Sequence, residues 1–222
     1  LYYGLVINAD PKMDAAWNNL AFNFEKLGDY KNSLRYYRIA DSLVSQEDPL
    51  YRSNIISALR HNQEYLKALT YAEEAKNDFP DYYRIIDQYA TVYNHMGQHY
   101  KAVEITKDYL KKHPYEQEAL FRIAYSYGKA GKTDSALVYY YKDLMVNSNR
   151  QGTLHNLGRL YRILGEFDLS IKFIKRSLEL DSSFEKSLHS MVNLYIWKHE
   201  FDSAYQAINQ FYKFTVNAES EH

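Results

Sequence analysis

Gly131, Lys132 and Thr133 are the residue types that end a phosphate-binding loop, in which backbone amides and a lysine hold a nucleotide. Such a loop needs another glycine five residues before Gly131, where Ser126 stands, and a buried strand upstream. The preceding segment, LFRIAYSYGKA, instead spaces its apolar residues as a helix does. The sequence therefore predicts a turn after a helix here, and no bound nucleotide or other cofactor.

The eight histidines are the residues from which a metal site would be built. His61 and His95 lie 34 residues apart, and so do His155 and His189. Equivalent positions of stacked helices are about 9–10 Å apart, whereas zinc needs its ligand nitrogens within about 2 Å. No clustered spacing such as HExxH occurs, and the chain has no cysteine. We therefore expect solvent-exposed histidines and no metal.

The remaining composition argues against catalysis and against several classes of partner. No serine stands in a strand-turn-helix elbow, and no carboxylate pair stands apart from the charged faces, so we predict no enzymatic activity. The 27 basic and 28 acidic residues give a net charge of -1, which argues against nucleic acid and anionic lipid, although some helical solenoids bind nucleic acid. No apolar run approaches the roughly 18 residues of a membrane span.

A repeat organises these residues. Gly97, Gly131 and Gly165 are 34 residues apart. Small residues recur at intervals of 34 or 35, at Ser33, Ala68, Ala102, Ala136, Ser170 and Ala204. A large side chain recurs too, at Phe24, Leu59, Tyr93, Tyr127, Tyr161 and Tyr195. Six units therefore share one period, which is typical of a repeat architecture.

Each unit reads as two helices. In the fifth unit an apolar helical face contains Leu154, Leu157, Leu160, Tyr161 and Leu164. Gly165 follows, and glycine accepts the left-handed conformation that ends a helix. A second apolar face contains Phe167, Ile171, Ile174 and Leu178, and the small residue between the two faces allows the helices to approach closely.

The pattern resembles the tetratricopeptide repeat, a helix-turn-helix of about 34 residues. Its signature positions are held by Trp17, Leu20, Ala21, Phe24, Gly28, Tyr30, Ser33, Tyr37 and Ala40. The resemblance implies an all-α, right-handed superhelix, with units that begin near Asp14, Pro49, Tyr83, Gln117, Gln151 and Glu185. Residues 1–11 would be the end of a preceding unit, 1–216 a single solenoid, and 217–222 a polar tail. Gln63 and His199 replace the turn glycine, and Arg52 replaces a large apolar residue.

The resemblance also implies a binding surface. The first helix of each unit lines a concave groove for peptides or proteins, and the recurring tyrosines fall at an interior position, so we expect them to pack in the core and not against bases. The implied groove residues are Asn19, Asn54, Gln88, Phe121, Arg122, Tyr125, His155, Asn156, Arg159, Arg162, His189, Asn193 and Trp197. A row of amides would pair with an extended peptide backbone, or asparagine is simply common at that position.

Charge divides the implied groove into two halves. Units one to three carry Lys26, Arg60 and Arg84 against Glu25 and Asp87. Units four to six carry Arg122, Lys129, Arg159, Arg162 and Lys186 against Glu118, with His155 and His189 as donors that would become charged at mildly acidic pH. Two interpretations stay open: a solvated basic face, or a groove for an acidic segment or a C-terminal carboxylate.

The predicted function is a protein-interaction scaffold. Two alternatives remain: the sensory or regulatory region of a larger signalling protein, and the substrate-presenting region of an enzyme such as a glycosyltransferase. Both cytoplasmic and extracytoplasmic locations stay open, because the sequence lacks a Met start and is expected to continue upstream. The final helix presents Tyr205, Ile208, Phe211, Tyr212 and Phe214, which predicts self-association or cover by further chain or a partner.

Overall fold

The computed structural model describes residues 2–44 and 48–209, with side chains from residue 6 onward. In chain order the helices are α1 (Tyr2–Ala9), α2 (Asp14–Lys26), α3 (Tyr30–Leu43), α4 (Pro49–His61), α5 (Tyr65–Asp78), α6 (Tyr83–His95), α7 (His99–Lys112), α8 (Gln117–Lys129), α9 (Thr133–Val146), α10 (Gln151–Ile163), α11 (Phe167–Leu180) and α12 (Glu185–Trp197). Residues 201–209 form a further helix, α13. No strand occurs in these ranges.

The helix boundaries confirm the predicted repeat. The six predicted unit starts are the first residues of α2, α4, α6, α8, α10 and α12. In each complete unit a helix of 13 residues is followed by one of 14. The recurring small residues, from Ser33 to Ala204, are all buried, which allows the two helices of a unit to pack closely.

The turn inside each unit has one backbone geometry. Gly28, Gly97, Gly131 and Gly165 have φ between 71° and 79°, the left-handed region that glycine tolerates best. At Gly165 the turn closes as a Schellman motif, because the Glu166 amide donates to the carbonyl of Tyr161 at 2.9 Å. Gln63 and His199 adopt the same conformation, with φ of 62° and 58°. The turn therefore keeps its backbone geometry even where another residue replaces the glycine.

The recurring large residues pack between the helices of a unit, as predicted. Tyr161 stacks on Phe173 of α11 with ring centroids 5.4 Å apart. Tyr127 meets Tyr139 of α9 at 5.9 Å. In the second unit the equivalent Leu59 is fully buried. These side chains hold the hairpins together and do not form an open stacking platform.

The helices gather into two compact units, Leu1–Pro114 and Tyr115–His222. The first compact unit has a hydrophobic core around Ile55, Leu59 and Ile85. The second compact unit has two core clusters, one around Leu157 and one around Ile174. The single solenoid over 1–216 stays a prediction, and the predicted polar tail at 217–222 lies outside the described residues. No helix within the described ranges is long and apolar enough to cross a membrane.

Candidate functional site

The residues that resemble a nucleotide loop form a helix turn. Gly131, with φ of 71°, follows the end of α8, and Lys132 precedes α9. Ser126 is buried inside α8, where its Oγ donates to the Arg122 carbonyl at 2.8 Å. A helix therefore stands where a P-loop requires a strand, which confirms the predicted turn.

In the first compact unit several polar groups are bonded to one another around Glu25. The half-buried carboxylate of Glu25 accepts hydrogen bonds from the hydroxyls of Tyr37 at 2.8 Å and Ser57 at 3.1 Å. His61 Nδ1 also lies 3.1 Å from this carboxylate. Burial and the charge of Arg60 nonetheless lower the pKa of His61, although Glu25 acts in the opposite direction. These groups have little capacity left for a ligand.

The predicted row of amides is not uniform. Asn54 is buried, donates to Asn18 Oδ1 at 2.8 Å and accepts from Arg84 at 3.0 Å, so its amide is already paired. Asn19 is exposed instead. The Oε1 atom of Gln88 is buried and has no hydrogen bond to any described residue. A continuous ladder of free amides is therefore absent from the described part of the first compact unit.

His155 corrects the expectation of solvent-exposed histidines. Its side chain is only 6% exposed, and its Nδ1 lies 3.1 Å from Ser187 Oγ. Burial, followed by the nearby charges of Arg159 and Lys186, lowers the pKa of His155 to about 4. It therefore remains neutral at mildly acidic pH, contrary to the prediction. His189 is exposed, as predicted. In the described part of the chain no cluster of three histidine, aspartate or glutamate residues is arranged to hold a metal.

In the second compact unit α10 lies between α8 and α12, and these three helices form one face, called the basic face below. Its only predicted acidic residue, Glu118, is bound by Arg150 at 2.6 Å. Arg150 also lies 3.4 Å from Asp143 and stacks over the ring of Phe121 at 4.5 Å. Glu118 is thus already neutralised by a residue at the start of α10.

Several cations of the basic face have no acidic partner. Lys129, Arg159, Arg162 and Lys186 make no ion pair with any described residue. Lys129 lies 5.6 Å from the centre of the Tyr125 ring, and Arg122 lies 5.8 Å from it. The face therefore combines an aromatic ring with uncompensated positive charge.

The other predicted residues of units four to six lie on α10 and α12. Asn193 and His189 are within 3.2 Å of each other on α12. Trp197, at the end of α12, is 65% exposed. Half-buried Asn156 borders a small cavity of about 60 Å³ between α8 and α10, which Tyr125 and Arg159 also line. The structure thus brings the predicted residues of units four to six onto neighbouring helices.

Sequence reasoning missed the contribution of Arg150 and Asp143. Asp143 is fully buried on α9 and accepts a hydrogen bond from Thr153, and burial raises the pKa of its carboxyl group. Neither residue stands at a groove position of the repeat, so the repeat pattern does not identify them as site residues. The available signal was an acidic residue on the otherwise apolar face of α9.

Models of the tetratricopeptide repeat match residues 14–43, 118–144 and 152–184. The chain is a tetratricopeptide repeat protein. The first matched segment begins at the first residue of α2. Comparison with the curated proteins gave no match. The described residues form an all-α fold of helical hairpins, and repeats of this kind commonly offer extended surfaces to protein and peptide partners.

Solved structures share this fold at low identity. A tetratricopeptide repeat protein from Parabacteroides merdae superposes with a TM-score of 0.67 at 17% identity, covering 90% of this chain and 79% of its own. PilF from Pseudomonas aeruginosa gives 0.68 at 12% identity, covering 92% and 97%. YrrB, described as having an unusual peptide-binding site, gives 0.54 at 15% identity, covering 85% and 96%.

Proposed function

We propose that this tetratricopeptide protein is a non-catalytic scaffold that binds an acidic segment of a partner protein on the basic face. The observation that carries the proposal is the set of four cations, Lys129, Arg159, Arg162 and Lys186, without a carboxylate partner among the described residues. Arginine forms paired hydrogen bonds with carboxylates, and aromatic residues such as Tyr125 and Trp197 are frequent anchors of interfaces.

The contrast between the two compact units supports this location. Around Glu25 of the first unit, carboxylate, hydroxyl and imidazole groups already lie in contact. On the basic face, the one predicted carboxylate is held by Arg150, and the neighbouring cations are left to an incoming ligand. The solved structure of YrrB, a tetratricopeptide protein with a peptide-binding site, supports a peptide as the kind of ligand.

The test is a binding assay with a defined probe. A fluorescein-labelled library of twelve-residue peptides rich in glutamate is titrated and followed by fluorescence anisotropy, beside the same library with glutamine. We expect the glutamate library to bind at least about tenfold more tightly. Amidation of the peptide C-terminus then measures how much a terminal carboxylate contributes. Equal affinity for both libraries contradicts the proposal.

A matched pair of variants locates the binding surface. The double substitution Arg159→Glu with Arg162→Glu reverses two charges on α10, and we expect affinity to fall by at least about tenfold. Lys172→Glu with Lys175→Glu makes the same change in net charge on exposed residues of α11, and is expected to change affinity little. If both doubles weaken binding equally while circular dichroism shows intact helices, the basic face is not the site.

The two alternative functions that the sequence leaves open, a sensory region and a substrate-presenting region, would use the same surface within a larger protein. In a sensory protein or a substrate-presenting enzyme, the same basic face would hold the regulatory segment or the substrate protein. A kinase, DNA-binding or transferase domain in the same full-length protein would favour one of these settings.

A further inference from the structure

A cavity of about 430 Å³ lies between α10 and α12 on the basic face. It is lined by His155 and Arg159 of α10, and by Glu185, Lys186, His189 and Ser190 of α12. This volume falls in the roughly 300–1,000 Å³ range of ligand sites. Five of the six lining side chains can donate hydrogen bonds, and two of these five carry a full positive charge.

His155 gives this cavity a buried polar floor. The side chain is more than nine-tenths buried, and Nδ1 is used by Ser187. The other ring nitrogen, Nε2, makes no hydrogen bond to any described residue, and His155 is one of the residues that line the cavity. In the tautomer in which Nδ1 accepts from the Ser187 hydroxyl, the neutral ring carries its proton on Nε2 and can donate from it.

Two cations near His155, Arg159 and Lys186, act on its imidazole ring through their charge. Arg159 and Lys186 are the two charges that lower the pKa of His155, which places their positive potential at the cavity. Neither forms an ion pair within the described residues. The cavity also lies at the first two turns of α12, where the helix dipole adds positive potential. Glu185 is the only lining acid and offsets part of this charge.

We propose that this cavity is a site for a phosphate monoester dianion, carried on a phosphorylated side chain of the bound segment. The inference rests on the proposed function, because it specifies which acidic group the basic face prefers. A carboxylate has two oxygens and one charge, and one arginine satisfies it. A phosphoserine carries about −1.5 to −2 charge at pH 7 and three strong acceptor oxygens. The donors of Arg159, Lys186, His155, His189 and Ser190 match the larger requirement.

The test compares three oriented peptide libraries that differ only at a fixed central residue: phosphoserine, glutamate or serine. Each is titrated against the full chain at pH 7.5 by fluorescence anisotropy. We expect the phosphoserine library to bind at least about tenfold more tightly than the glutamate library. Equal affinity for phosphoserine and glutamate overturns the phosphate site. It leaves the proposed function intact, provided that Arg159→Glu with Arg162→Glu still abolishes the preference for acidic peptides.

Variants of the cavity give a second, independent result. Lys186→Gln is expected to remove most of the phosphoserine preference, whereas Arg162→Gln, on the same face but outside the cavity lining, is expected to lower all three affinities alike. Glu185→Gln removes the opposing charge and is expected to tighten phosphoserine binding by about two- to threefold. Thermal unfolding confirms that each variant is folded. A Lys186→Gln protein that keeps the full preference overturns the proposal.

Competition with free phenyl phosphate tests whether the site recognises a phosphate group that is not attached to a peptide. If it competes with the phosphoserine library at millimolar concentration, a phosphate monoester without a peptide chain is sufficient for recognition. If it does not compete while the library preference persists, the site recognises phosphate only on a peptide chain. Either result supports the site, and absence of both competition and preference overturns it.

Discussion

Ser170 Oγ donates a hydrogen bond of 2.7 Å to the backbone carbonyl of Gly158, so the two helices of the fifth unit touch at backbone distance. A Cβ atom at position 158 would lie 2.6 Å from Ile174 and 3.2 Å from the Ser170 carbonyl oxygen. Ile174 is fully buried, and little space is left for it to move. The contact between α10 and α11 therefore depends on a residue without a side chain.

We expect Gly158→Ala to destabilise the protein. Alanine favours a helix over glycine by about 1 kcal/mol, but overpacking a filled core costs about 1–3 kcal/mol, so the net effect is a lower thermal midpoint. Combining it with Ile174→Val, which removes one of the two clashing carbon atoms, should recover part of the loss. A midpoint for Gly158→Ala at or above that of the parent would show that the helices separate easily.

The turns of the second and sixth units offer a prediction of opposite sign. Gln63 has a φ of 62°, a conformation that costs a residue with a Cβ atom about 1–2 kcal/mol. Gln63→Gly removes this cost. Part of the gain is offset, because glycine makes the unfolded chain more flexible and therefore loses more conformational entropy on folding. We expect a net gain of about 0.5–1 kcal/mol, or roughly 2 °C in the midpoint.

The reverse change supplies the control. Gly97 occupies the equivalent turn with φ of 73°, and nothing lies within 4 Å of the position its Cβ would take. Gly97→Gln therefore tests backbone conformation without a steric clash, and it should lower the midpoint by about as much as Gln63→Gly raises it. A fall in the midpoint on Gln63→Gly would mean that the glutamine side chain contributes more than its backbone costs.

These turns also show what the repeat could predict. The period placed the left-handed position at Gln63 and His199 even without glycine, because backbone geometry must recur for hairpins to stack. It placed all six first helices for the same reason. The period could not show that His155 is buried or that Arg150 binds Glu118, since those features depend on which side chains meet across neighbouring helices.

The burial of His155 predicts a dependence of stability on pH. Its pKa is about 4 in the folded chain against 6.5 for an ordinary histidine, so between these values the unfolded chain binds the extra proton. A base with a lowered pKa contributes stability that is complete above pH 6.5 and is lost as the pH falls towards 4. His155→Phe removes this titration. Between pH 7 and pH 5 we expect the thermal midpoint of the parent to fall relative to that of the variant, and a constant difference would contradict the assignment.

The sequence also predicts that the last helix is covered by another copy of the chain, by further chain or by a partner. Phe211, Tyr212 and Phe214 lie outside the described residues, Ile208 is half-buried, and Tyr205 of α13 is 66% exposed. The adjoining Phe201 of α13 is 63% exposed.

We expect the full chain to show concentration-dependent sedimentation, since exposed aromatic patches of this kind are frequent association surfaces. Phe201→Glu with Tyr205→Glu should shift the chain towards monomer. Tyr115→Glu is the control for introducing glutamate at an exposed aromatic residue, because Tyr115 is 79% exposed and lies outside α13. Sedimentation as a monomer at every concentration, or an equal effect of the Tyr115 substitution, would show that α13 does not mediate association.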